Sequence, residues 1–191
     1  MKTVLITGAN RGIGFESARQ LAARGFHVVI GARSEQQGQK SLRELERVGK
    51  ASLLIVDVSD STSIAGAASQ FASIGQLDVL INNAGIYPDE GISILTISRE
   101  RMVSTFQTNT FGALEVTQAF LPNLKKSAGA RVINISSGYG QLDGLSANVP
   151  RLLPFQVSVE WTDNHAGRSS EDRWHRCEFN VPGLGADRHG R

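Results

Sequence analysis

The segment Thr7-Gly8-Ala9-Asn10-Arg11-Gly12-Ile13-Gly14 constrains this chain more than any other stretch. It follows the apolar run Val4-Leu5-Ile6 and opens Phe15-Glu16-Ser17-Ala18-Arg19-Gln20-Leu21, whose apolar residues recur at helical spacing. Strand, glycine-rich turn and helix is the resulting reading. Glycines there let the backbone approach a pyrophosphate closely, and the free N–H groups and dipole of the helix N-terminus attract its charge. The spacing is G-x-x-x-G-x-G rather than the commoner G-x-G-x-x-G. Tight turns also use glycine for steric reasons alone. Placement directly after the first strand is what favours a nucleotide site.

The remaining chain alternates strands with helices. Gly25 stops the first helix, and His27 to Ala32 reads as a buried strand. Residues 34–48 form a polar helix with Leu42, Leu45 and Val48 on one side, and Leu53 to Val56 a third strand. A helix over 61–72, the strand 77–81, helical chain over 98–126 and the strand 131–135 follow, with Pro122 and Gly129 as late punctuation. Near-continuously apolar strands alternating with helices imply an α/β fold, a doubly wound parallel sheet in one Rossmann-like domain. Ligands then bind at the carboxyl ends of the strands.

Those ends form a pattern. They are the glycine turn, Ala32-Arg33-Ser34, Asp57-Val58, Asn82-Asn83-Ala84-Gly85 and Ser136-Ser137-Gly138. Any one of them is ordinary loop chemistry; five on one edge describe a single extended site. Sites preferring NAD usually carry an acid at the end of the second strand, to bind the ribose 2′-hydroxyl. Here Gly31-Ala32 stand in its place and Arg33 follows. Arg33, with Arg11, could clamp a 2′-phosphate through charge-assisted hydrogen bonds, which favours NADP(H). A solvated loop charge is the plainer role for Arg33.

At 191 residues the chain suits one domain. A net charge of +2 with no basic stripe leaves nucleic acid without an electrostatic footprint. No stretch reads as a signal peptide or membrane span. The single Cys177 excludes an intrachain disulfide and fits a reducing compartment, so a cytoplasmic location is expected.

Taken together, Thr7-Gly8-x-x-x-Gly12-Ile13-Gly14, Asp57-Val58, Asn82-Asn83-Ala84-Gly85, Thr108-Asn109-Thr110-Phe111-Gly112 and Ile135-Ser136-Ser137 resemble the short-chain dehydrogenases/reductases in order and spacing, over residues 1 to about 150. The region around Asn109 and Phe120-Leu121-Pro122 is most similar to carbonyl-reductase-like members. The resemblance implies hydride transfer between NADP(H) and a small carbonyl or alcohol substrate, and usually a homo-oligomer. It implies that Gly8, Asn10, Arg11, Gly12, Ile13, Gly14, Arg33, Asp57, Val58, Asn83, Ala84 and Gly85 bind cofactor, with Asp57 on the adenine. Asn109 would support a proton relay and Ser137 would hydrogen-bond the substrate oxygen, without a metal.

The family also uses a Tyr-x-x-x-Lys pair about a dozen residues or slightly more after the serine, in which Lys tunes the proton-donating Tyr. Tyr87 and Tyr139 do not fit that position, and no lysine follows Lys126. From Arg151 the composition changes: both tryptophans, the one cysteine and three of four histidines lie beyond it. A genuine disordered extension is one reading. A metal site from His175, Cys177 and His189 is another, unsupported by ligand spacing. A third is a shift of reading frame. Read one base later, Leu152-Leu153 permits Tyr, and Gln156-Val157 gives only Lys or Arg, four positions on. Glu178 to His189 permits a Pro-Gly and downstream Thr of the family type. Residues 1–150 are therefore expected to be the NADP(H)-binding domain, and 151–191 a poorly ordered, out-of-frame tail lacking the last family strands. Negligible reductase activity is then expected, the alternative being a non-catalytic dinucleotide-binding or interaction protein.

Overall fold

The computed structural model describes residues 1–88, 92 and 95–136. Five strands form one parallel sheet: β1 (Thr3–Ile6), β2 (His27–Ala32), β3 (Ala51–Ile55), β4 (Val79–Asn82) and β5 (Arg131–Asn134), in the order β3-β2-β1-β4-β5. Between them run α1 (Gly12–Ala23), α2 (Glu35–Leu45), α3 (Ser61–Phe71), α4 (Arg99–Phe106) and α5 (Gly112–Leu124). The α/β doubly wound architecture expected from the sequence is present.

Side-chain alternation along the strands builds two cores. Val4 and Ile6 of β1, with Val28, Ile30 and Ile81, pack with Ala18 and Ala22 of α1 and Leu45 of α2. Leu5, Val29 and Leu80 belong to the opposite core, with Ile64 and Phe71 of α3 and Val116 and Phe120 of α5. The Phe71 and Phe120 rings meet edge to face at 5.3 Å. Each such fully buried side chain contributes roughly 1.5–3 kcal/mol, so both sheet faces are tied down by several independent contacts.

The expected boundaries shift by small amounts. Ser34 caps α2 instead of joining it: its hydroxyl accepts the Gln37 N–H. Leu77 lies outside β4 because its N–H donates to the Asn123 carbonyl rather than to a strand. Pro122 does not punctuate the chain; α5 carries it in its last turn and continues to Leu124. The long helical stretch is two helices joined by a π-helical turn, Gln107–Phe111, in which the Gly112 N–H reaches back five residues to the Gln107 carbonyl. Such wide turns insert one residue and re-aim the side chains near them.

Strand order reverses between β1 and β4, on either side of which successive strands run outward in opposite directions. Ile6 is in register with both Ile30 and Ile81. The exits of three strands are therefore level at the crevice where doubly wound sheets hold ligands.

Candidate functional site

Thr7, the first residue after β1, organises the crevice. Its buried Oγ1 accepts the N–H of Asn83 and of Ala84, each at 3.0 Å, and donates to the Ile81 carbonyl. The Asn83 Nδ2 donates in return to the Thr7 and Gly8 carbonyls, at 2.9 and 3.2 Å. Two loops 76 residues apart in sequence become one rigid edge. Gly8 has a φ of +64°, and a Cβ there would stand 2.9 Å from the Ala84 Cα. A Cβ on Gly14 would collide with the Asn83 amide nitrogen. Both glycines are needed for closure of the two loops on each other.

Gly12 differs. Its φ is +61°, but no atom lies within 4 Å of where its Cβ would be. It faces open space at the start of α1. Arg11 precedes it in extended conformation, exposed and without a side-chain cap, and the first turn of α1 carries no acid. The helix thus offers its terminal N–H groups and positive dipole end to an outside anion. Ile13 is 69% exposed beside them. Asn10 faces the other way: its Nδ2 donates to Gln37 Oε1 and its carbonyl accepts the Ser41 hydroxyl, so α2 holds the outer limb of the turn. This cradle fits the phosphate half of a dinucleotide, because a close backbone approach is sterically open and no acid or side-chain cap among the described residues neutralises the helix end.

The exit of β3 carries Asp57 and the buried Val58. Burial raises the Asp57 pKa, but the Ser59 hydroxyl and amide, at 2.6 and 2.9 Å, and the Arg33 charge outweigh it and hold the carboxyl below its ordinary range. Asp57 is an anion with one oxygen already occupied. Arg33 is exposed at the exit of β2. Gly85 is exposed after β4 and Ala84 is half-buried.

Asn109 lies buried in the π-helical turn. Its Oδ1 accepts the Ile86 N–H and its Nδ2 donates to the Ile86 carbonyl, both at 2.8 Å. The side chain acts on the loop after β4 as a neighbouring strand would. Asn82 Nδ2 donates to Asn134 Oδ1 at 2.8 Å and Thr117 Oγ1 at 3.1 Å, binding β4 to β5 and α5. Its Oδ1 is buried without a partner among the described residues.

A cleft of about 580 Å³ opens above these exits. Arg33, Ser59 and Ile86 line it from the ends of β2, β3 and β4. Arg99 and Val103 of α4, with Gln107 of the π turn, line it from the other side. Of the expected site residues, the glycine turn, Asn83, Ala84 and Gly85 come together at the crevice, and Asp57 and Arg33 flank it. Ser137, Tyr139 and the tail from residue 151 lie outside the described residues, so the substrate end of the site is not among them. The sequence reading missed the central role of Thr7, although a hydroxyl at the end of an apolar strand was a usable signal. It also missed Arg99, which nothing in the sequence separates from other helix-terminal charges.

The family model for short chain dehydrogenases matches residues 2–149. The chain belongs to the short-chain dehydrogenase family. It is 39% identical over 145 residues to a short-chain dehydrogenase of Penicillium roqueforti, covering 73% of this chain and 57% of that one. It is 37% identical over 160 residues to the (+)-neomenthol dehydrogenase of Arabidopsis thaliana, covering 72% and 54%. The chain therefore spans little more than half the length of these relatives. Among solved structures, a gluconate 5-dehydrogenase from Burkholderia cenocepacia, in complex with NADP and tartrate, superposes with a TM-score of 0.71 at 28% identity, covering 81% of this chain and 59% of that one.

Proposed function

We propose that the chain carries the dinucleotide half of an NADP(H)-dependent oxidoreductase acting between a small carbonyl compound and its alcohol. The observation that carries this reading is the open cradle at Gly12, clamped by Thr7 and Asn83 and free of any acid in the first turn of α1. When bound, the nicotinamide supplies the hydride. The glycine turn holds the pyrophosphate, and Asp57 and Val58 hold the adenine side. Asn83, Ala84 and Gly85 line the cofactor, and Arg33 takes the 2′-phosphate, while Arg11 lies exposed at the start of α1 beside the pyrophosphate. Asn109 fixes the loop at Ile86 beside the reacting end, with Ser137 as the hydrogen-bond donor to the substrate oxygen. NADP in the Burkholderia complex is consistent with the choice of cofactor. Calorimetric titration tests it: NADPH binding tighter than NADH supports the reading, and binding of neither overturns it.

Catalysis by this chain is a separate matter. Without a Tyr-x-x-x-Lys pair there is no tuned proton donor and no lysine for the nicotinamide ribose. The second reading, a dinucleotide-binding protein without turnover, rests on that absence. Purified chain that binds NADPH but reduces no aldehyde or ketone supports it; measurable turnover overturns it. Reading the coding DNA near codon 150 tests the frame shift directly, since a base gained or lost there would convert residues 151–191 to family sequence.

A further inference from the structure

We propose that Arg99, at the start of α4, is a second cation for the phosphate on the adenosine ribose, lining the same cleft as Arg33. The inference deepens the NADP(H) reading above and rests on it. A phosphate monoester carries roughly −1.5 to −2 charges at neutral pH. One guanidinium leaves about half of that uncompensated, so a selective site needs more than Arg33. Arg11 does not line this cleft, whereas Arg99 does, together with Arg33.

Three observations bring Arg99 into that role. First, Arg99, Val103 and Gln107 recur at four-residue intervals and all line the cleft, so one face of α4 and the π turn forms its wall. Arg99 is on that face at the end nearest the helix terminus. Second, among the described residues neither Arg33 nor Arg99 is in an ion pair, the pair within 4.0 Å being Arg19–Glu16. Third, Glu100, the acid that also lines the cleft, lies beyond 4.0 Å of both guanidinium groups. The Ser98 hydroxyl caps the start of α4, accepting the Arg101 N–H. The cap of α4 is thus supplied by a neutral hydroxyl, and neither acid of the cleft rim, Asp57 or Glu100, closes an ion pair on Arg33 or Arg99 among the described residues. A cleft of about 580 Å³ lies within the range of small-ligand pockets, about 300–1,000 Å³.

Adenosine 2′,5′-bisphosphate and adenosine 5′-monophosphate are suitable probes, because they need only this end of the site. Calorimetry on the full chain compares wild type with Arg99→Gln and Arg99→Lys. The expected result is about a tenfold loss of bisphosphate affinity in Arg99→Gln, with Arg99→Lys intermediate and the monophosphate changed less than about twofold. Equal loss for both probes would mean that Arg99 packs on the adenosine generally, and no loss would mean that it faces solvent; either overturns the proposal while leaving the dinucleotide reading intact. Wild-type protein that binds both probes equally would overturn the proposal and the preference for NADP(H). Binding of neither would overturn the dinucleotide reading itself.

Discussion

Thr7 and Asn83 hold each other by two hydrogen bonds: the Asn83 N–H donates to the Thr7 hydroxyl, and the Asn83 side-chain amide donates to the Thr7 carbonyl. The same hydroxyl also accepts the Ala84 N–H. Thr7→Val keeps the shape and removes the acceptor, leaving two buried or half-buried N–H groups unpaired. A loss on the order of 2–4 kcal/mol in chemical denaturation is expected. Thr7→Ser keeps the acceptor and should lose about 1 kcal/mol or less. Equal losses in the two variants would show that the methyl, not the hydroxyl, holds the turn.

Gly14 and Gly12 should fail in different ways. In Gly14→Ala the new methyl meets the Asn83 amide nitrogen and breaks its bonds to Thr7 and Gly8. Overpacking of this kind costs about 1–3 kcal/mol. Adding Asn83→Ala removes the nearest obstacle and leaves the Gly8 carbonyl oxygen at 3.0 Å, so the double variant should be more stable than the sum of the single changes without regaining wild-type stability. Strict additivity would place the damage elsewhere. Gly12→Ala meets nothing in the protein and bears only the strain of its positive φ, about 1–2 kcal/mol. Its loss of NADPH affinity should therefore be large relative to its loss of stability.

His27 gives the fold a pH dependence near neutrality. Burial, followed by the Lys50 charge, lowers its pKa below the ordinary 6.5, and its Nε2 lies 2.8 Å from the Ser52 hydroxyl. The unfolded chain then takes up a proton at a higher pH than the folded one. The contribution of His27 is fully present above pH 6.5 and is lost as pH falls from there toward the folded value. Asp78 acts with the same sign at lower pH. Burial raises its pKa, but the Thr3 N–H, the Ser127 hydroxyl, the Gln76 amide and the Lys2 charge outweigh it and leave the carboxyl below 3.8. Denaturation midpoints of wild type should rise between about pH 5 and 7, and His27→Gln should flatten that rise. A rise of unchanged size in the variant would assign it to another group.

The fold was legible because its signals are periodic and local. Val28 to Ile30 and Val4 to Ile6 are apolar on both faces, as a central parallel strand must be, and the structure divides them between two cores. The glycine turn and Asn83 were legible as motifs, but their mutual clamp was not, because no local pattern joins positions 76 apart. Pro122 misled as a boundary signal because α5 carries it in its last turn and runs on to Leu124. The π-helical turn had no sequence signature: nothing in Gln107 to Phe111 separates it from ordinary helix, and the bonds that Asn109 makes from it to Ile86 join positions far apart in the chain. Arg99 was invisible for a similar reason, since lining a cleft is decided by which face of α4 turns toward the strand exits.

Asn109 provides the sharpest test of how that turn holds the loop after β4. Asn109→Leu removes both bonds to Ile86 and should cost on the order of 2–4 kcal/mol, with faster hydrogen exchange at the Ile86 amide. Asn109→Asp is more informative. An ionised carboxyl still accepts the Ile86 N–H but sets a second anionic oxygen against the Ile86 carbonyl, whereas the protonated form restores the donor. Burial and this hydrogen bond both favour the protonated form, so the introduced carboxyl has a raised pKa in the folded state. Its contribution is then fully present below the unfolded carboxylate pKa and is lost as pH rises through the folded value, opposite in sign to His27. Stability of Asn109→Asp relative to wild type should improve on acidification from about pH 7 to 5. A gap that stays constant with pH would show that Nδ2 is not needed as a donor to Ile86.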